Sequence, residues 1–321
     1  MRKVIFIVVM AFCLNTDAQT WVPGPKGLDS PPQAGVVFND NIYLIESHDK
    51  GDVLLLMGDT SFTEVATFPT IAIWKLVATN SEMYLIERFT KNPAIYSFDG
   101  KKIHAILLPD SALEISSTIV FKEQLFINVK FKNSSSCVMM AWNGKEWNTL
   151  KLKTEITQGG IFFIYKEMLY YEVRVGFDSK DIYIFKLEGN TFNQILKKET
   201  ELYIPNFTIE YNSLTYLFDT SSDLYFTFDG TNLQKKAWAL KFDNYGSSEM
   251  FFIPFDNKLY LAGHFWCDVK DARSIICFDG KKWKSTSTGL ERYITVFLKN
   301  KGALYAFGME DGVMFSTKFV K

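Results

Sequence analysis

The stretch that decides the fold is Lys258 to Leu290, which reads KLYLAGHFWCDVKDARSIICFDGKKWKSTSTGL. Short apolar runs separated by a loop and by an Asp-Gly turn give it the pattern strand, loop, strand, tight turn, strand. Looser copies of this pattern fill much of the chain. A chain made of such copies is typical of a repeat protein.

Two anchors mark the copies. The first is an aromatic residue, and its steps along the chain are 41, 42, 44, 46, 44 and 45 residues: Tyr43, Tyr84, Phe126, Tyr170, Tyr216, Tyr260 and Tyr305. The second is a glycine turn: Asp99-Gly100, Asn143-Gly144, Glu188-Gly189, Asp229-Gly230 and Asp279-Gly280, with a weaker copy at Gly58-Asp59. Such turns predict type I′ hairpins, in which both central residues have positive φ.

A period of forty-odd residues, with several short strands per period and no helical stripe, is typical of a β-propeller. We therefore predict an all-β fold of seven four-stranded blades around a channel. The expected innermost strands are Val36–Phe38, Ile73–Ala78, Thr118–Phe121, Ile161–Tyr165, Phe207–Tyr211, Phe251–Phe255 and Thr295–Leu298. Pro254 fits such a strand, because the innermost strand is an edge and proline cannot donate to a ladder.

The two ends of the chain together supply the strands of one complete repeat. The segment TWVPGPKGL at Thr20–Leu28 repeats the Trp-to-Gly-Leu spacing of KWKSTSTGL at Lys282–Leu290, the outermost strand of the sixth repeat. The seventh repeat ends after its third strand, at Gly312–Lys321. We therefore expect Thr20–Lys26 to supply the missing outer strand and to close the ring.

Composition restricts the partners. The chain has 321 residues, is 47% hydrophobic and 16% aromatic, and carries a net charge of -1. This balance gives neither the basic surface of a nucleic-acid-binding protein nor a polybasic membrane patch.

The N-terminus has the pattern of a signal peptide over residues 1–19. Arg2-Lys3 is followed by the apolar run Val4–Leu14 and by a small, polar region containing Ala18. The apolar run is too short for a transmembrane helix. We expect an exported, monomeric protein, periplasmic or extracellular, with one domain over residues 20–321. Cys13 leaves a lipoprotein as the alternative, although the bulky Phe12 before it is unfavourable.

Removal of that segment leaves Cys137, Cys267 and Cys277, an odd number that does not suggest a disulfide framework. Cys267 and Cys277 flank one loop, so either a cross-strand bridge or two thiols fits the spacing.

The sixth repeat also resembles a known family. Lys258-Leu-Tyr-Leu-Ala-Gly263, Cys277-Phe-Asp-Gly-Lys-Lys-Trp283 and Thr288-Gly-Leu290 are similar to the repeat of secreted bacterial kelch-like propellers, in the galactose-oxidase central-domain superfamily. The other repeats keep only the Leu-Tyr and Asp-Gly elements, and Gly159-Gly160 lies out of register with the kelch glycine pair. The resemblance implies a seven-bladed fold and no single activity.

No catalytic or cofactor signature stands out. The chain lacks the Ser-x-Asp-x-Gly turns of sialidases, a Gly-x-Ser-x-Gly elbow and a phosphate loop. His48, His104 and His264 are not at metal-ligand spacing. We therefore expect no cofactor and no metal.

The best remaining signal is positional, where each second strand ends. Three residues after the anchor lie Glu46, Glu87 and Asp219, and four residues after it lie Arg88, Lys130, Arg174 and His264. The longest loop of this kind, His264–Ser274, adds Trp266 as a stacking platform or, equally, as a plug over its own blade. A solvated rim of surface charges is the competing interpretation.

The residues three and four positions after the anchors form two columns, with at most one residue per blade in each. Because neighbouring strand residues point to opposite sides, only one of the two columns can face a ligand well. We favour the cationic column with Arg88 and Arg174, which predicts an anionic ligand. The expected function is non-catalytic recognition of a glycan, a peptide or a secreted or cell-surface protein at one channel mouth. The alternatives are a polysaccharide hydrolase or lyase with Glu87, Arg88, Arg174 and Asp219 at the mouth, and a structural subunit of a secreted assembly.

Overall fold

A computed structural model describes residues 20–69, 72–87, 93–109, 112–132, 134, 136–152, 160–174, 181–199, 207–218, 224–237, 240, 250–269, 273–286 and 293–320. All regular structure within these residues is β, and it forms seven sheets, antiparallel except for one short parallel pair, arranged as the blades of a propeller. The seven-bladed prediction is confirmed.

Each blade runs outward from the channel through four strands. The innermost strands are β2 (Ala34–Phe38), β6 (Ile73–Ala78), β10 (Ala112–Phe121), β15 (Ile161–Tyr165), β19 (Phe207–Tyr211), β23 (Met250–Phe255) and β27 (Tyr293–Asn300). The second strands are β3 (Asn41–His48), β7 (Met83–Glu87), β11 (Gln124–Phe131), β16 (Met168–Arg174), β20 (Leu214–Phe218), β24 (Lys258–Trp266) and β28 (Ala303–Glu310).

The outer half of each blade follows the same order. The third strands are β4 (Gly51–Met57), β8 (Ile95–Phe98), β12 (Cys137–Trp142), β17 (Asp181–Glu188), β21 (Leu224–Phe228), β25 (Arg273–Phe278) and β29 (Val313–Val320). The outermost strands are β5 (Phe62–Phe68), β9 (Ile103–Ile106), β13 (Trp147–Thr149), β18 (Thr191–Glu199), β22 (Leu233–Ala237), β26 (Trp283–Ser285) and β1 (Thr20–Pro23). A two-residue strand, β14 (Lys151–Leu152), pairs in parallel with β18 and adds a fifth strand to blade 4.

The N-terminal strand closes the ring as predicted. Thr20–Pro23 pairs with Thr317–Val320, and the backbone N–H of Gly24 extends the pairing to Ser316 at 2.9 Å. The Trp21 ring lies 4.9 Å from that of Phe319 and packs into the blade. The N-terminal strand therefore completes blade 7 with the fourth, outermost strand that the other blades also have.

The seven anchors owe their spacing to the core between blades. Each packs in a different one of seven apolar clusters: Tyr43, Tyr84, Phe126, Tyr170, Tyr216, Tyr260 and Tyr305. A propeller needs one such cluster at every blade junction, because each sheet buries both of its faces. One aromatic per junction is the repeat that the sequence displays.

The turn types differ from the expectation. Asp99-Gly100, Asn143-Gly144, Asp229-Gly230 and Asp279-Gly280 sit in four-residue loops in which the glycine alone has positive φ, as at Gly100 (φ 94°), whereas Gly189 of the Glu188-Gly189 copy lies in a two-residue turn. The Asp99 carboxylate instead accepts the backbone N–H groups of Lys101 and Lys102, both at 2.7 Å. The two-residue turns with paired positive φ join innermost to second strands, as at Asn39-Asp40 and Asp256-Asn257. Such φ values are tolerated best by Asn, Asp and Gly.

Two smaller predictions are settled here. Pro254 lies in β23, the innermost strand of blade 6. Cys267 and Cys277, both among the described residues, are not joined by a disulfide.

Candidate functional site

The chain direction places two kinds of loop on one face of the propeller. Every innermost strand starts at this face and every second strand ends at it, so the blade-crossing segments meet the loops that follow the second strands. We call this the mouth face. The opposite face, which carries the two-residue turns and the Asp-Gly loops, is the turn face.

A cavity of about 530 Å³ opens on the mouth face beside the channel. We call it the mouth pocket, and its lining residues are Ser30, Pro31, Pro32, Gln33, Ser47, Trp74, Tyr293 and Thr295. Tyr293 and Thr295 start the innermost strand of blade 7, Trp74 starts that of blade 2, and Ser30–Gln33 lead into that of blade 1. Three adjacent blades thus build one pocket of a size usual for small-ligand sites.

The crossing segment in this pocket is held by a buried carboxylate. Glu46 Oε1 accepts the backbone N–H groups of Asp29 at 3.0 Å and of Ser30 at 3.2 Å. Burial raises the pKa of Glu46, while the hydrogen bond from Ser30 and the nearby His48, whose Nε2 lies 3.4 Å from Oε2, act against the rise. Glu46 therefore helps to fix the conformation of the segment that crosses into blade 1.

A second carboxylate fixes the opposite wall. Asp52 is fully buried, and its Oδ2 accepts the backbone N–H groups of Ala72 at 2.9 Å and of Ile73 at 2.7 Å. Its Oδ1 accepts the hydroxyl of Ser47 at 2.5 Å. Because Asp52 belongs to blade 1 and Ile73 to blade 2, this group joins two blades immediately before Trp74.

The pocket side chains are linked to the same network. Gln33 Nε2 donates to Ser47 Oγ, and Ser30 Oγ donates to the Ser47 carbonyl at 3.1 Å. Loop positions fixed in this way cost a ligand less ordering entropy than flexible loops do. The mouth pocket is therefore preformed.

Glu87, a predicted mouth residue, is buried at the end of β7. Its Oε2 accepts the backbone N–H of Ala94 at 3.0 Å, and its Oε1 accepts the Tyr96 hydroxyl at 3.3 Å. It lies opposite Ile73, on the side of β7 that packs against blade 1.

Arg174 is also buried, with 6% of its surface exposed. It lies opposite Ile182, on the side of β16 that packs against blade 5. Glu172 shares that side and is fully buried, and the loss of solvation raises its pKa to about 8 although Arg174 lowers it. Glu87 and Arg174 therefore face different blade junctions, and the structure does not bring them together.

Lys130 is half-buried near the end of β11, directly opposite Glu114 of β10. Arg88 and Asp219 lie outside the described residues, as do the side chains of His264 and Trp266. The cationic column as a whole stays a prediction.

A buried polar contact between blades 3 and 4 carried no signal in the sequence. The Tyr171 hydroxyl accepts the backbone N–H of Gly160 at 2.6 Å and contacts Asn128 Nδ2. Asn128 and Tyr171 come from different repeats, 43 residues apart. Alternation places each on a buried face, but only the packed blades show that the two meet.

Within the described residues, no three His, Cys, Asp or Glu side chains are placed to hold a metal ion. The same part of the chain contains no helix long and apolar enough to cross a bilayer.

Comparison with known proteins shows a shared fold and no shared sequence. No family model and no curated protein matches the chain. The extracellular domain of a putative hybrid two-component system from B. thetaiotaomicron matches with a TM-score of 0.60 at 11% identity, covering 93% of this chain and 39% of that one. A puromycin-hydrolyzing peptidase from Mycobacterium tuberculosis matches with a TM-score of 0.61 at 10% identity, covering 91% and 50%. The computationally designed Ika8 protein matches with a TM-score of 0.59 at 8% identity, covering 92% and 98%.

The chain thus spans less than two thirds of two of these proteins, 39% and 50% of their lengths. One of the three is named as an extracellular domain, one as a peptidase and one as a design. At such identities the likeness concerns the fold, and propellers with one fold serve many functions.

Proposed function

We propose that the protein is an exported, non-catalytic binding propeller that recognises a glycan in the mouth pocket. The observation that carries the proposal is the pocket itself: about 530 Å³, beside the channel, and lined by two aromatic rings, two prolines and the polar side chains of Ser30, Gln33, Ser47 and Thr295. Aromatic faces with hydroxyl and amide groups suit a sugar, which has apolar C–H faces and hydroxyl edges. A peptide or a protein loop is the alternative ligand.

The carboxylates around the pocket support binding over catalysis. A glycosidase needs two carboxyl groups free to protonate and to attack the sugar, about 5 to 10 Å apart. Glu46, Asp52 and Glu87 instead accept backbone N–H groups that hold neighbouring segments. Their removal would first cost stability, as expected of structural groups.

The predicted cationic column adds a sharper version of this proposal. If Arg88 reaches the ligand, the glycan is acidic, because Arg binds a carboxylate with two parallel hydrogen bonds. The Arg88→Ala variant tests it: loss of affinity for acidic but not neutral glycans supports Arg88 as a ligand-binding residue, and unchanged affinity for both removes it from the site. Arg174 is left unchanged in this test because it is buried at the junction of blades 4 and 5.

Export rests on the signal-peptide pattern of residues 1–19 and on the strand that follows. Thr20 already pairs with Val320, so cleavage before Thr20 leaves the closing strand complete. Mass spectrometry of the protein secreted from a bacterial host checks this, with Thr20 expected as the first residue. Retention of residues 1–19 in the mature protein contradicts export by this route.

The main experiment is a glycan-array screen followed by calorimetric titration of the best ligand. Gln33→Ala removes an exposed amide from the pocket wall and should weaken binding about fivefold, the effect of one hydrogen bond. Gln234→Ala, an equally exposed glutamine on the outermost strand of blade 5, is the matched control. Equal affinities of the two variants would place the ligand elsewhere.

A further inference from the structure

A second cleft lies on the turn face, between blades 2 and 3. It has a volume of about 590 Å³. One wall consists of Trp142 and Trp147, which stand directly opposite each other in the β12–β13 hairpin. The facing wall belongs to blade 2 and presents Ser97, His104 and Glu82. We call this the tryptophan cleft.

The two indoles form one aromatic surface. Their ring centroids are 5.3 Å apart and the rings are inclined by 50°. Trp147 Nε1 donates to the Leu107 carbonyl at 3.0 Å, so the polar edge of the ring is engaged by the protein. A fixed indole whose polar edge is already used offers its apolar face to a ligand.

The corresponding positions are buried in blade 5 and half-buried in blade 6, where the Phe278 and Trp283 rings also lie 5.3 Å apart. The residues that flank the turn are Phe228 and Leu233 in blade 5, which are 0% and 2% exposed. Trp142 and Trp147 are only half-buried, and the cleft opens against them. The open cleft beside Trp142 and Trp147 therefore makes these two rings accessible to a ligand.

The wall of blade 2 supplies polar groups at a fixed place. The Tyr84 hydroxyl donates to Glu82 Oε2 at 2.9 Å, and burial raises the pKa of Tyr84, so that this hydroxyl stays protonated and keeps donating. His104 is exposed, and Ser97 lies directly opposite it on β8. Carboxylate, imidazole and hydroxyl groups are suitable partners for sugar hydroxyls.

The charged residues that line the cleft favour a neutral saccharide over an acidic one. Glu82 and Glu146 place two carboxylates at the cleft, against the single ammonium group of Lys145. An acidic sugar would meet net repulsion, whereas a neutral one would not.

We propose that the tryptophan cleft is a second binding site, for the neutral pyranose units of a saccharide chain. The pyranose ring stacks on Trp142 and Trp147, and its hydroxyl groups bond to Glu82 and His104. The site lies on the face opposite the mouth pocket and binds independently of it.

The test uses the full mature chain with maltohexaose and cellohexaose as neutral probes and hexagalacturonate as the anionic probe. We expect at least one neutral hexaose to bind with a dissociation constant of about 1 mM or lower, and to shift the indole N–H resonances of Trp142 and Trp147. Trp147→Ala should weaken this binding about tenfold or more, because a stacked indole carries much of such an interface.

Two controls make the result specific. Trp283→Ala changes the tryptophan at the corresponding turn of blade 6, and Gln234→Ala changes an exposed glutamine of blade 5; neither should alter hexaose binding. Gln33→Ala reports on the mouth pocket, and its effect on hexaose binding should be smaller than that of Trp147→Ala. If Trp147→Ala does not fold, His104→Ala, at an exposed position, replaces it and should weaken binding at least threefold. The proposal is overturned if no neutral hexaose binds at about 1 mM, if hexagalacturonate binds as tightly, or if Trp283→Ala or Gln33→Ala has the larger effect.

Discussion

Asp52 and Glu172 are both buried acidic residues at blade junctions, and they behave in opposite ways. Asp52, between blades 1 and 2, accepts two backbone N–H groups and the Ser47 hydroxyl. Glu172, between blades 4 and 5, has an Oε1 without a hydrogen-bond partner among the described residues, and its pKa rises to about 8. The first carboxyl joins two blades, while the second is kept neutral over most of the physiological range.

The difference lies in what the neighbouring chain presents. Asp52 meets the start of an innermost strand, where the N–H groups of Ala72 and Ile73 point toward it. Glu172 lies in the middle of a packed strand, opposite Ile161 and Ile184, whose backbone groups pair with the ladder. Burial is common to both carboxyl groups, and they differ in the hydrogen-bond donors that the neighbouring chain supplies.

Removal of the Asp52 carboxylate gives the largest expected effect. Asp52→Ala leaves two backbone N–H groups and a hydroxyl without their acceptor, and should lower the free energy of unfolding by about 3 kcal/mol or more. Urea unfolding measures it. Asp59→Ala, an exposed aspartate in the next turn, is the control and should change stability by less than about 0.5 kcal/mol. Similar losses for the two variants would contradict the role of Asp52.

Tyr171→Phe should have an intermediate effect. The Gly160 N–H and the Asn128 side chain lose a buried partner, and the free energy of unfolding should fall by about 1 to 2 kcal/mol. Tyr183→Phe, on the neighbouring strand of the same blade, changes a half-buried tyrosine whose hydroxyl is 3.5 Å from Asp181 and should change it less. The same urea titration compares the pair, and the reverse ranking would contradict the buried contact between blades 3 and 4.

Glu172 predicts a pH dependence with a definite sign. Its pKa is raised from an ordinary 4.5 to about 8 on folding, so between these values the folded state holds a proton that the unfolded state has released. The stabilising effect of that proton is complete below pH 4.5 and is lost as the pH rises through about 8.

Glu172→Gln, which is neutral at every pH, isolates this contribution. The melting temperature of the parent protein should fall between about pH 6 and pH 9 by a few degrees more than that of the variant. If the melting temperatures of the two proteins change by the same amount over this pH range, Glu172 is already charged in the folded state.

The smallest effect concerns a second group without a partner. Thr118 Oγ1 is buried and has no hydrogen-bond partner within the described residues. Thr118→Val keeps the shape and removes the hydroxyl, so it should stabilise the protein by about 1 kcal/mol. Thr215→Val is the matched control, because the Thr215 hydroxyl donates to the Ile164 carbonyl at 3.3 Å, and it should destabilise. Destabilisation by both variants would mean that Thr118 has a partner.

The repeat architecture could be predicted from the sequence because its cause is local and recurs. The same position of each second strand places an aromatic residue in a different blade junction. Three innermost strands, Ile73–Ala78, Ile161–Tyr165 and Phe207–Tyr211, begin and end where the apolar pattern placed them. The ring closure was visible because two outermost strands share a Trp-to-Gly-Leu spacing.

The site was less accessible to such reasoning, because its contacts cross between repeats. Asp52 binds residues 20 and 21 positions away, and nothing in Gly51-Asp52 distinguishes it from a surface turn. Glu87 and Arg174 stood out as charged strand ends, yet alternation along a strand buried on both faces directs each of them into a blade junction. The sequence analysis did not single out Trp142 and Trp147, which became candidates because an open cleft lies beside them.

The most direct test of the central claim is hydrogen–deuterium exchange of the mature chain with and without the best glycan from the array. Binding in the mouth pocket should slow exchange in peptides covering residues 29–34 and 293–296, and leave the turn-face peptides of blades 5 and 6 unchanged. Protection confined to other segments, with residues 29–34 and 293–296 exchanging at the same rate as in the free protein, would contradict recognition at the mouth pocket.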